Sequence, residues 1–192
     1  MSNELKNFYA KSRKDWRSWL EKNHESENAI WLVFYKVSSS KPSLSWSEAV
    51  DEALCFGWID STKKTIDQES YKQYFTKRKA LSNWSKVNKE KVAYLIKNKQ
   101  MTKAGLASIE VAKKNGSWNA LDKIEDLIMP EDLEEAMNQY SNAMEYYESL
   151  SKSAKKLLLH WVYSAKKSET RQKRILEIAE NANNKTKPKF FR

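Results

Sequence analysis

Residues 44–88 read LSWSEAVDEALCFGWIDSTKKTIDQESYKQYFTKRKALSNWSKVN, and the fold turns on this stretch. Ser45 and Glu48 have the S-x-x-E spacing of a capping box, in which side chains and backbone N–H groups satisfy one another at a helix start. Ala49, Val50, Ala53, Leu54 and Phe56 give that helix an apolar side, and Gly57 stands where a left-handed residue would stop it. Trp58-Ile59-Asp60 and the polar residues up to Ile66 then predict a strand. Asp67-Gln68-Glu69-Ser70 predicts a turn, and Tyr71-Lys72-Gln73-Tyr74-Phe75 a second strand, so that a hairpin follows the helix.

Working outward, AIWLVFYKV (29–37) is a nearly continuous apolar, β-branched and aromatic run, the central strand of a small sheet. The order β-α-β-β is an α+β arrangement with an antiparallel sheet. Upstream, Trp16, Trp19 and Leu20 repeat at the three-and-four spacing of an amphipathic helix over 9–23. Downstream, helical signals follow one another. Ser82 or Ser85 caps a helix to about Lys97, Thr102 caps AGLASIEVAKK before Asn115-Gly116, and Pro130 opens PEDLEEAMNQY. Leu157, Leu158, Trp161 and Val162, then Ile175, Leu176, Ile178 and Ala179, mark helices over 151–166 and 168–181. The expected division is an α+β core over 1–118, a helical region over 119–183 packed on it, and a basic flexible tail over 184–192.

Three glycines and three prolines in 192 residues disfavour a loop-rich all-β chain. No apolar run approaches the roughly 20 residues of a membrane span. MSNELKNFYAKSRKDW lacks the apolar centre of a signal peptide, so the expectation is a soluble, cytoplasmic protein. One cysteine excludes an intramolecular disulfide. Two histidines and one cysteine outside any ligand spacing predict no metal centre. There is no glycine-rich phosphate loop and no G-x-S-x-G, so no cofactor is expected and an enzyme is disfavoured. Charge alternates in sign along the chain. Residues 1–100 carry 19 basic and 12 acidic side chains, residues 101–150 carry 4 and 10, and residues 151–192 carry 12 and 3. Such blocks suit either pairing within the chain or a basic face for an anionic partner.

Several blocks also resemble a known family: WLVFYK (31–36), LSWSEAVDEALCFGWIDS (44–61), YKQYFTKRK (71–79), SNWSKVNKEKV (82–92), MTKAGLASIEVAKKNGSW (101–118) and SLSKSAKKLLLHWVYSAKKSETRQKRILEIAE (149–180). Together they resemble the YdeI/OmpD-associated, or bacteriocin-protection, family of bacterial proteins. One departure is Lys77, where the family pattern has proline before the arginine. The resemblance implies a role in stress or bacteriocin protection and carries over no catalytic residue.

The residues themselves offer a ligand-binding surface. Strand alternation puts Trp58 and Asp60 on one face, and Arg78, Ser82, Trp84 and Asn88 lie beyond the hairpin, within reach of it. Indoles stack, a guanidinium grips carboxylate or phosphate, and Asp or Asn fixes orientation, which suits a small anionic or aromatic ligand. The plainer alternative makes Asp60–Arg78 a structural ion pair and the tryptophans core. A second surface is the basic aromatic hairpin, with Lys36, Lys63, Lys64, Tyr74 and Lys79 as an anion or nucleic-acid face. A third reading takes Asp60 as the acid–base group of an enzyme. No protein partner is legible.

Overall fold

The computed structural model describes residues 6–191 and divides the chain into two compact units, 1–120 and 121–192. The N-terminal unit is built on a four-stranded sheet in the order β1-β2-β4-β3, from β1 (Asn7–Tyr9), β2 (Ala29–Tyr35), β3 (Trp58–Thr65) and β4 (Ser70–Lys77). β2 and β3 both pair antiparallel with β4, as the hairpin and the apolar run predict. β1, which the sequence reading did not anticipate, adds a parallel pair and makes the sheet mixed. Three residues are too few to display a period of two, and its strand character comes from pairing with β2.

Helices α1 (Arg13–Asn23) and α2 (Trp46–Cys55) interrupt the strands, and α3 (Lys86–Lys97) and α4 (Lys103–Asn115) follow them. The capping box at Ser45 and Glu48 is formed on both sides. Ser85 rather than Ser82 caps α3, because its hydroxyl accepts the Asn88 N–H. Gly57 ends α2 at φ +72°, and a Cβ there would meet the Ala104 carbonyl and Ser108 Cβ, both at 3.2 Å. Gly105 meets a tighter limit, since a Cβ would lie 2.3 Å from the Cys55 carbonyl oxygen. Thr102 donates its hydroxyl to that same oxygen at 2.6 Å, so the start of α4 docks on the end of α2.

The sheet has an inner and an outer face. Inward go Ile30, Leu32, Phe34, Phe75 and Trp58, buried with Trp16 and Leu20 of α1 and Leu54 of α2. Trp16 meets Phe75 edge-on at 5.4 Å and donates its indole N–H to the Ala49 carbonyl, joining sheet, α1 and α2. Beside this core, Glu52 of α2 is 2% exposed and holds two arginines of α1. Arg13 Nε donates at 2.5 Å and Arg17 Nη1 at 2.7 Å, one to each carboxylate oxygen. Burial opposes both guanidinium charges, and the bonds to Glu52 outweigh it, so both pKa values are raised. The outward positions of β2, namely Ala29, Trp31, Val33 and Tyr35, are only half-buried.

The C-terminal unit is helical: α5 (Asp122–Glu125), α6 (Glu131–Asn138), α7 (Ala143–Ser149), α8 (Lys152–Tyr163) and α9 (Ser168–Asn183). Its own core contains Leu133, Met137, Tyr147, Leu158, Leu159, Val162, Ile175 and Ile178. Part of the charge alternation resolves here into pairs. Arg171 grips Asp132 through Nε and Nη2 at 2.6 and 2.8 Å, Lys155 meets Glu148 at 2.5 Å, and Lys156 meets Glu125. Arg171 and Arg174 also donate to the Val162 and Trp161 carbonyls, satisfying the last turn of α8. In the segment expected as a basic flexible tail, Phe190 stacks on Trp161 at 4.0 Å within a 3₁₀ turn over Lys189–Phe191. Among the described residues no helix is long and apolar enough to cross a membrane.

Candidate functional site

The residues singled out from the sequence separate into a buried group and an outer group. Trp58 is 0% exposed, and its indole N–H points to the His24 carbonyl at 3.4 Å, so it presents no surface to a ligand. Asp60, two residues on and half-buried, is held through Oδ2 by the indole N–H of Trp46 and by the amide of Gln73, both at 2.9 Å. Gln73 also donates to the Ser61 carbonyl at 2.8 Å. That carbonyl belongs to a β-bulge, where the β3 register shifts between Asp60 and Lys63. Neither Trp46 nor Gln73 stands out in the sequence, because each meets Asp60 only across the fold.

Arg78 leaves the end of β4 with its N–H on the Gly57 carbonyl, which fixes it beside the end of α2. Its guanidinium stacks on the Trp84 ring at 3.8 Å, and Trp84 in turn packs on Trp118 at 5.0 Å. Nη1 donates to the Asn83 carbonyl at 3.0 Å. Nε and Nη2 are closed from solvent and have no hydrogen-bond partner, and the same holds for the indole N–H of Trp84, which is 1% exposed. Among the described residues only one further buried side-chain polar atom, the Tyr147 hydroxyl, stands in this state. Three unmatched donors therefore gather on one stacked pair, where each costs about 1–3 kcal/mol. Burial pushes the Arg78 pKa down to about 10 against the field of Asp60, which raises it. Asp60 thus reaches Arg78 through its field and forms no ion pair with it.

Of the other two, Ser82 closes a turn by donating its N–H to the Lys79 carbonyl, and Asn88 sits in the first turn of α3. The structure therefore brings Arg78 and Trp84 into contact and gives Ser82 and Asn88 places in the adjoining loop and helix. Cys55 is buried, and burial raises its thiol pKa to about 11, far from a nucleophile's range.

The outer group follows a different logic. Trp31 and Tyr74 lie directly opposite each other on β2 and β4, the two central strands, with ring centroids 5.1 Å apart. Lys64 and Lys72, opposite each other in register, hold Nζ 5.2 and 4.9 Å from the Trp31 ring. The bulge decides this. One extra residue in β3 carries Lys64 to the outer face and sends Lys63 to the inner side, where it sits 4.0 Å from the Tyr71 ring. Lys36 bonds the Gln68 carbonyl near the hairpin turn, and Lys79 is exposed in the loop after β4. Trp31 and Lys72 complete the face and were legible only as strand residues.

Residues 8–108 match a family model described as a domain of unknown function, DUF8412, which covers more than half of the chain. The chain belongs to that family. Residues 126–185, within the helical unit, match a second model, described as bacteriocin-protection, YdeI or OmpD-associated, so this part of the chain is similar to that family. That likeness, drawn from blocks over 31–180, is thus matched over the last of them, and most of the earlier blocks lie in the DUF8412 segment. No curated protein and no solved structure matches the chain. Arg78 and Trp84, like the outer sheet face, fall inside the DUF8412 segment.

Proposed function

We propose that the DUF8412 segment is a ligand-binding module whose ligand presents a carboxylate or phosphate to Arg78. The observation that carries this reading is the unfilled edge of that guanidinium. Nε and Nη2 form the side fork that matches two oxygens of an anion. Arg171 fills the same fork with the two oxygens of Asp132, and Arg78 turns it to no acceptor although it is buried. The depressed pKa of Arg78 has the same origin, a charge taken from water without a counter-ion, and an anion on the fork would relieve it. Trp84 supplies the stacking face and a further donor. Because the fork is closed from solvent, entry requires the Arg78 side chain or the loop over 78–85 to shift. The protein would act in the cytoplasm, in the bacteriocin protection for which the family of its C-terminal segment is described.

The test is a thermal-shift panel of carboxylated and phosphorylated metabolites against the whole chain and its Arg78→Met variant. A true ligand at a hundredfold excess over its Kd stabilises the native state by about 2.7 kcal/mol. The expected hit raises the Tm of the wild-type chain and leaves the variant unmoved. A flat panel, or a hit that persists in Arg78→Met, would defeat the reading.

A further inference from the structure

We infer that the outer face of the N-terminal sheet is a binding platform for single-stranded nucleic acid, separate from the Arg78 fork. Aromatic side chains normally turn inward, yet the two central strands here set Trp31 and Tyr74 side by side on the outward face, half-buried. Their neighbours across β3 and β4 are cations. Lys64 and Lys72 stand over the Trp31 ring, and Lys72 is steadied by the side-chain oxygen of Asn7 at 3.3 Å. Four residues further along β2, roughly 13 Å at strand rise, the pattern repeats. Tyr35 meets Tyr9 edge-on at 5.1 Å, and Lys41 lies 4.6 Å from the Tyr35 ring. Beyond Tyr35 the face ends in a cleft of about 540 Å³ lined by Tyr35, Lys36, Lys41, Ser43, Trp46 and Tyr71.

The charge pattern selects the occupant. The outward positions of the four strands include Asn7, Tyr9, Trp31, Val33, Tyr35, Ile59, Lys64, Lys72, Tyr74 and Thr76, with no carboxylate among them. Of the acids that flank these strands in sequence, Glu27 pairs with Lys6, Asp67 is held by Ser70 and the Glu69 N–H, and Glu69 and Asp67 both add to the field at Lys41. A partner with flat π-faces at intervals and a negative charge between them meets both features at once, because its bases stack while its phosphates track the lysines. A duplex hides its bases, so it would meet only the lysines. The bulge in β3 supports the same conclusion, since without that extra residue Lys64 would turn inward and the Trp31 ring would lose one of its two cations.

Fluorescence anisotropy with labelled oligo-dT, its RNA counterpart and a duplex of the same length tests this on the whole chain. The expected result is binding of the single strands that weakens with salt and exceeds duplex binding. The Lys64→Ser/Lys72→Ser variant should flatten the slope of log K against log salt by about 1.4, two phosphates at about 0.7 each. Trp31→Ala should weaken binding by about tenfold or more, and Trp31→Phe should restore most of it. Circular dichroism of each variant separates loss of the platform from loss of the fold. The DNA and RNA arms decide which backbone is preferred. The proposal is overturned by no single-strand binding at low salt, by equal duplex binding that Trp31→Ala leaves untouched, or by a dimer that the lysine variant dissociates.

Discussion

Arg13 and Arg17 close on the two oxygens of Glu52, whereas Arg78, also in the N-terminal unit, stacks on Trp84 and leaves two of its nitrogens unmatched. The same functional group is part-buried at Glu52 and more deeply buried at Trp84, and burial opposes its charge in both places. At Glu52 the carboxylate overcomes that opposition and raises both pKa values, while at Arg78 only the field of Asp60 opposes it and the pKa falls to about 10. A charge balanced within the chain ties helices together. One left unbalanced lowers the stability of the free protein and is available to a partner from outside.

The largest effect should come from breaking the balanced region. Glu52→Ala leaves two part-buried arginines without their anion and should cost about 3–5 kcal/mol in urea unfolding. A loss below about 1 kcal/mol would show that α1 and α2 hold without the triad. The same variant should open Cys55, which lies beside Glu52 and Arg17. In the native wild-type chain a thiol raised to about 11 should resist a disulfide reagent at pH 8 and react once the chain is denatured. Rapid labelling of native wild type would contradict its burial.

The unbalanced region should respond in the opposite direction. Arg78→Met removes the unmatched charge, keeps a long side chain against Trp84, and should leave stability unchanged or raise it by about 1–4 kcal/mol. A Tm well below wild type would make Arg78 a structural clamp through Asn83 and erase the contrast. The smallest effect belongs to Asp132, whose bond to Arg171 holds its carboxyl below the ordinary value on a half-exposed surface. Asp132→Asn should cost less than about 1 kcal/mol, since solvent screens the pair. Because the folded pKa is depressed, that contribution is present above about pH 4, the unfolded carboxylate's range, and is lost as pH falls through the lowered value. Acid titration of wild type and variant should therefore converge at low pH, and divergence there would show that the bond is not the source.

Features set by near neighbours were legible in the sequence. The capping box at Ser45 and Glu48, the stop at Gly57, the strand in AIWLVFYKV and the 67–70 turn each depend on residues a few positions apart, and all four formed, the strand over Ala29–Tyr35. Arg78 and Trp84 were legible as members of one candidate surface with Trp58, Asp60, Ser82 and Asn88, and their stacking on each other emerged only in the fold. Their missing partners were not legible, because an unmatched donor is defined by everything around it. Trp46 and Gln73 escaped notice for the same reason, since their bond partner Asp60 lies 14 and 13 residues away.

The sequence by itself determined an α+β unit followed by helices, because hydrophobic period, caps and turn residues act within a few residues of themselves. Tertiary structure alone decided the rest. The parallel pairing of β1, the bulge that turns Lys64 toward Trp31 and Lys63 away, and the burial of Trp58 depend on which strands and helices meet. So does the guanidinium of Arg78, closed from water with its fork unfilled. Pairing and burial are long-range outcomes of packing, and no local pattern encodes them.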